Sequence, residues 1–219
     1  NSSSADATVD GVTATGTVAV QCPDLTVTKS DNVGGATVLP AGWNWTLHVA
    51  NGGLGYAVFA NGSTLLTDTL PNSGLTYGTP TVSGASGLTG TVNCAIDGSS
   101  DLSCMAGTAV QLDASGSFDV VIPVTPSATG PFANPRPAGS CMVDPGTAVV
   151  ETNDANNLCS NTVTVNTPPA ITSANTTTFT VGLAGTFTVI TTPGYPVATT
   201  ISIPPGSLPS GVSFTDNLD

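Results

Sequence analysis

The sequence predicts an all-β chain, Ig-like β-sandwiches in tandem, on three observations. Runs rich in β-branched residues alternate apolar with polar: DLTVTK, WNWTLHV, STLLTDTL, SFDVVIPV and NTVTV. That two-residue period is the mark of a strand with one buried face. The 25 glycines and 17 prolines punctuate the whole chain, and helix signals are almost absent. Finally, Thr167-Pro168-Pro169 reads as a stiff, extended linker between two units.

Residues 1–21 form an arm outside both units. Asn1–Val9, NSSSADATV, lines up without gaps on Asn157–Val165, NLCSNTVTV. The arm therefore reads as the last strand of a preceding repeat or as a donor strand. The chain starts at Asn1 and reads as a mature product or as a piece of a longer one.

Residues 22–166 are the main domain, opening on a strand at 24–29 and closing on one at 160–165. Asn51-Gly52 and Asn61-Gly62 are turn signals between strands. Trp43, Trp45, Leu47 and Val49 share one face of a strand, which predicts core packing, with a sugar-stacking platform as the lesser alternative. His48 falls on the opposite face with Asn44 and Thr46, toward solvent. Residues 167–219 are the linker and an incomplete sandwich. It carries roughly four or five strands where an Ig-type fold needs about seven. Its bare edge and apolar face call for a cover.

Composition narrows the function. The net charge is −12, and one lysine (Lys29), one arginine (Arg136) and one histidine (His48) stand among 14 carboxylates. No basic stripe exists for nucleic acid. No apolar run is long enough to span a bilayer as a helix. With 7% charged residues, the surface must be neutral and polar. Proton-handling side chains are too few for ordinary catalysis, and no G-x-S-x-G elbow accompanies His48. The sequence therefore points away from an enzyme. Asn-x-Ser/Thr sequons begin at Asn1, Asn44, Asn61 and Asn175 and matter only in a host that glycosylates them.

Of five cysteines, Cys94 and Cys104 flank a hairpin turn, AIDGSSDLS, and Cys141 and Cys159 flank an acidic loop. The natural pairing is 94–104 and 141–159, which implies an oxidising, extracellular compartment. Each bridge is worth roughly 2–3 kcal/mol on the chain-entropy model. Cys22 is left over, either as a buried thiol or as an interchain link.

Two constellations could carry chemistry. Lys29 shares a strand face with Leu25 and Val27, Asp68 with Leu66 and Leu70, and Asn161 with Val163 and Val165. Each polar group thus points into the core, where a bare ammonium is costly. One resolution is an autocatalytic Lys29–Asn161 isopeptide bond with Asp68 polarising the amide. The other is a Lys29–Asp68 ion pair, or a lysine reaching out to the sheet edge. The second constellation is Asp144, Glu151, Asn153, Asp154 and Asn156, oxygen donors in one short loop. Calcium is one reading and a solvated acidic loop the other. Arg136, between two prolines in NPRPAG, is placed either to pin a loop or to sit free at the surface.

Several segments carry a family resemblance. DLTVTKSDN, a Trp/Leu strand ending in VANGG, and TDTLPNSGLTYGTPTVSG resemble the bacterial surface repeat known as domain of unknown function eleven. VDPGTAVVETNDANN resembles the closing motif of the cell-adhesion-related domain of bacteria. ITSANTTTFTVGLAGTFTV with LPSGVSFTDN resembles the opening half of the putative-Ig repeat of haemagglutinin-type proteins. The resemblance implies tandem Ig-like sandwiches on large bacterial adhesins, and no catalysis. Together these readings predict an extracellular structural protein of a bacterial cell surface, a stalk repeat or filament subunit. Its partners would be other copies of itself or neighbouring repeats. The alternative is an adhesion module that binds calcium or surface glycans.

Overall fold

The computed structural model describes residues 2–9, 12–197 and 200–216, with backbone alone for the strands within 2–19. Asn1 and Asn217–Asp219 lie outside the described residues, and with them the ends of the 1–9 alignment and of the LPSGVSFTDN motif. The elements run β1 (Ser2–Val9), β2 (Val12–Ala19), β3 (Leu25–Asp31), β4 (Ala36–Val38), β5 (Trp43–Asn51), β6 (Ala57–Phe59), β7 (Thr64–Thr69) and β8 (Leu75–Tyr77). They continue with β9 (Thr81–Thr89), β10 (Val92–Ile96), β11 (Asp101–Ala106), β12 (Val110–Pro126), β13 (Gly130–Asn134) and β14 (Cys141–Val143). A 3₁₀ turn, Asp154–Asn156, precedes β15 (Asn161–Asn166), β16 (Ala170–Ile171) and β17 (Thr191–Thr192).

The domain is an all-β, Ig-like sandwich. One sheet runs β3-β5-β12-β6, with β8 and β9 also paired to the long β12. Facing it are β10-β11-β7-β14 and β13-β15-β4, in which β4 lies parallel to β15. All five alternating runs of the sequence are strands. In β5 the burial alternates along the strand, so that Trp43, Trp45, Leu47 and Val49 point inward. They meet Phe118, Val120 and Ile122 of β12 and Leu66, Leu102, Val163 and Val165 from across the sandwich in one core. Burying such side chains contributes roughly 1.5–3 kcal/mol each before the entropy of ordering is counted.

The strand β9 departs from the sequence pattern. TVSGASGLT is largely exposed and shows no apolar alternation. It is held by backbone pairing to β12, with register shifts near its glycines. Gly84 and Gly87 both have φ of +60°, a left-handed conformation that favours glycine.

The two disulfides are those read from the sequence. Cys94–Cys104 joins directly opposed residues of β10 and β11, and Cys141–Cys159 ties β14 to the loop before β15. Cys22 is a half-buried free thiol. In the arm, the stretch read as a strand is β1, and it has a second strand beside it. The arm is a hairpin in which β1 pairs with β2 from Ser2↔Ala19 to Val9↔Val12. In residues 170–216, the described pairing is the short β16–β17 ladder alone.

Candidate functional site

Three strands from both faces of the sandwich bring an amine, a carboxyl group and an amide into the core. β3 carries Lys29 inward beside Leu25 and Val27, as strand alternation requires. β7 carries Asp68 inward from the opposite sheet. Both side chains have no exposed surface, and Lys29 Nζ lies 2.8 Å from each carboxylate oxygen of Asp68. Burial lowers the Lys29 pKa to about 8, although the Asp68 charge and its hydrogen bond oppose the change. Burial likewise raises Asp68 above its ordinary value, against the pull of Lys29, Asn134 and Arg136. Both shifts favour the neutral pair, since desolvation penalises charge on either partner.

Asn134, the last residue of β13, is the third member. It is 1% exposed. Its amide lies against Asp68 closely enough to favour the carboxylate, yet neither Oδ1 nor Nδ2 completes a hydrogen bond. An unsatisfied buried amide costs about 1–3 kcal/mol. Nothing in the alternation rules singles out Asn134. GPFAN is short, bounded by Pro135, and itself contains glycine and proline but no β-branched residue. The only sequence signal is that Asn134 falls in phase with Phe132.

The environment of this cluster is closed by Tyr77 and Arg136. The Tyr77 hydroxyl donates to Pro71 O at 2.6 Å, and burial together with the Asp68 charge pushes its pKa upward. Arg136 donates from Nη1 to Leu70 O at 2.7 Å and pairs through Nη2 with Asp101 at 2.7 Å. Arg136 thus pins a loop onto the strand that holds Asp68.

Asn161 does not join the cluster. Its Oδ1 accepts from Trp45 Nε1 at 3.0 Å, and its Nδ2 donates to Asp31 at 3.1 Å. The isopeptide partner read from the sequence therefore has both ends of its amide engaged elsewhere. Asn134, directly opposite on the neighbouring strand, is the amide set against Asp68.

The five candidate calcium residues sit close in sequence, but the oxygens of Asp144, Glu151 and Asn153 already accept from nearby N–H groups, while Asn156 Oδ1 is buried without a hydrogen bond. Asp144 accepts from the N–H groups of Ala148 and Val149. Glu151 accepts from Leu25 N–H and from Asn157 Nδ2. Asn153 caps the 3₁₀ turn through Ala155 N–H, and Asn156 donates to Asp24 at 3.0 Å. Asp154 lies in the first turn, near enough that its charge, after desolvation, helps raise the Glu151 pKa. Among the described residues, no group of three or more His, Cys, Asp or Glu side chains is placed to hold a metal ion.

Trp43 and Trp45 are 3% and 0% exposed and pack edge to face at 5.3 Å. They belong to the core and offer no face to a sugar. His48 lies on the outer face as expected, with Nδ1 2.7 Å from Asp119 Oδ1. Ser83 of β9 is the register partner of Asp119, not of His48. The order across the sheet is therefore His-Asp-Ser, with the carboxylate in the middle. A hydrolytic triad needs the imidazole there.

No protein-family model matches this chain, and no curated protein matches it. Solved structures similar to it include the CARDB domain of a Pyrococcus furiosus protein, crystallised in complex with di-metal ions. That structure is 17% identical and covers 68% of this chain and 97% of its own, with a TM-score of 0.38. The solution structure of the same domain is 18% identical over 67% of this chain and 97% of its own, with a TM-score of 0.40. A variant of the major pilin subunit of Bacillus cereus is 15% identical over 76% of this chain and 49% of its own, with a TM-score of 0.45.

Proposed function

We propose that this chain is a non-catalytic structural module of an extracellular bacterial surface, a stalk repeat or filament subunit that assembles by β-strand complementation. The observation that carries the reading is the apolar surface of residues 170–216. Val181 is fully exposed, Leu183 is 71% exposed and Val197 is 65% exposed, and Phe179, Phe187 and Ile190 accompany them. The segment alternates as strands do, TTTFTVGLAGTFTVITT, yet its described pairing is limited to two residues on each side. Such a surface is a template for added strands. The hairpin arm β1–β2 of a second copy is the occupant proposed, since an extended ladder with free edges can supply main-chain hydrogen bonds. A head-to-tail contact of this kind does not close on itself and grows as a fibre.

The basic side chains support a structural role. Lys29 is committed to Asp68, Arg136 to Leu70 O and Asp101, and His48 to a cross-strand carboxylate. Two disulfides suit an oxidising exterior. The test is assembly of the purified chain with and without residues 1–21. Electron microscopy should show fibres of the full chain and none of the truncated one. A monodisperse monomer at high concentration, with residues 170–216 protected from proteases, would refute it.

A further inference from the structure

We propose that Lys29 Nζ and Asn134 Cγ become joined in the folded protein by an isopeptide bond, with Asp68 as the catalytic proton relay. The starting observation is a buried Lys29–Asp68 pair with a third buried group, the Asn134 amide, set against the same carboxylate. Lys29 and Asp68 face each other with no exposed side-chain surface. Asn134, 1% exposed, adds an amide with no hydrogen bond on either atom against that carboxylate.

The backbone fixes this placement from two sides. β13 pairs with β15 through Asn134↔Asn161. Two residues further on, Arg136 N–H donates to Thr69 O at 2.9 Å, which locks the end of β13 onto the strand just past Asp68. Cys141, the register partner of Asp68 on β14, is held by its disulfide. The amide and the carboxyl therefore cannot drift apart, and positioning of reactants replaces a bimolecular encounter.

The chemistry balances without a co-reactant. The step begins when Nζ passes a proton to Asp68, a transfer to neutral amine and carboxylic acid that burial of both groups favours. The Nζ lone pair attacks Asn134 Cγ while the Asp68 hydroxyl hydrogen-bonds to Asn134 Oδ1 and stabilises the developing oxyanion. A proton then passes from Nζ through Asp68 to Nδ2. The Cγ–Nδ2 bond breaks, the Nζ–Cγ bond remains, ammonia leaves, and Asp68 keeps, as a carboxylic acid, the proton it first took from Nζ. No atom is oxidised or reduced. The product also resolves the core. A charged pair and an orphaned amide become one secondary amide beside a neutral carboxyl, and β3 is tied covalently to β13.

The reaction has a sharp signature because Lys29 is the sole lysine and Arg136 is followed by Pro137. After reduction of both disulfides, the intact mass of the wild-type chain should be short by one ammonia. Trypsin under denaturing conditions should leave the chain uncut after Lys29. A chymotryptic digest should contain a branched peptide joining Lys29 to Asn134. Asn134→Ala and Asp68→Ala should each restore the full mass and the tryptic cut, whereas Asn161→Ala should keep the ammonia loss. A wild-type chain of full mass, cut after Lys29, overturns the proposal, and this readout needs no variant to fold. A branch at Asn161, or persistence of the loss in Asn134→Ala, overturns the assignment of the acceptor.

Discussion

Asp31 Oδ2 accepts a hydrogen bond from Asn161 Nδ2 at 3.1 Å, so the first strand of the main sandwich is clasped to its last, 130 positions away. The same carboxylate accepts from Val33 N–H at 3.0 Å and Gly35 N–H at 2.8 Å through its other oxygen. Gly34 and Gly35, with φ of +67° and +82°, make that tight loop possible. One side chain thus holds a turn and closes a domain.

Acid should loosen this clasp. Desolvation works against ionisation of Asp31, but the N–H groups of Gly35 and Val33 and the Asn161 amide outweigh it and hold its pKa below the ordinary 3.8. The unfolded chain binds the proton first, so the contribution is present above pH 3.8 and is lost as pH falls through the lower folded value. Thermal melts of the wild type should show this loss below about pH 4. Asp31→Asn should be less stable at neutral pH and flatter across that acid window.

Asn161→Ala removes the acceptor of Trp45 Nε1 and the donor to Asp31. It leaves an indole N–H without its partner in the core. A loss of about 1–3 kcal/mol in urea unfolding is expected. A neutral result would mean that water or another group takes over both contacts.

Removing Asp68 alone should be worse than removing the pair. Asp68→Ala leaves the Lys29 ammonium buried without a counter-charge, at a cost of about 3–5 kcal/mol. Lys29→Met with Asp68→Leu replaces both by apolar groups of similar size and should recover much of that loss. Denaturant midpoints of the single and double variants make the comparison.

Chelators should leave the melting temperature of the purified chain unchanged. Asp144, Glu151 and Asn153 already accept hydrogen bonds from their own loop or from β3. A rise in melting temperature with added calcium, reversed by a chelator, would establish that these oxygens turn outward to a cation.

Reduction tests the staples. Cys94→Ala with Cys104→Ala should cost about 2–3 kcal/mol on the chain-entropy model, because a short loop is freed in the unfolded state. Melts of the wild type with and without reductant should show a larger loss, since reductant opens both bridges. Cys22, outside both bridges, should not alter it when changed to Ser.

Periodicity carried the strand assignments. A side chain two residues from a buried valine must itself face the core, which is why Lys29, Asp68 and the two tryptophans were legible inside. The disulfide pairing was legible because each pair of cysteines brackets a single turn or loop. β9 was not, since its hold on β12 is through backbone groups and its side chains carry no apolar rhythm. In the acidic loop, composition lists oxygen donors but does not say which N–H groups Asp144, Glu151 and Asn153 meet.

By itself, then, the order of residues determined an all-β chain with one amine hidden in its core, because burial on a strand follows from a period of two. It pointed to Asn161 as the amide of that cluster and gave no sign of Asn134, the amide set against Asp68. The two are register partners on adjacent strands. Which of them turns to Trp45 and Asp31, and which is pressed against Asp68, was decided only when strands far apart in sequence packed across the sandwich.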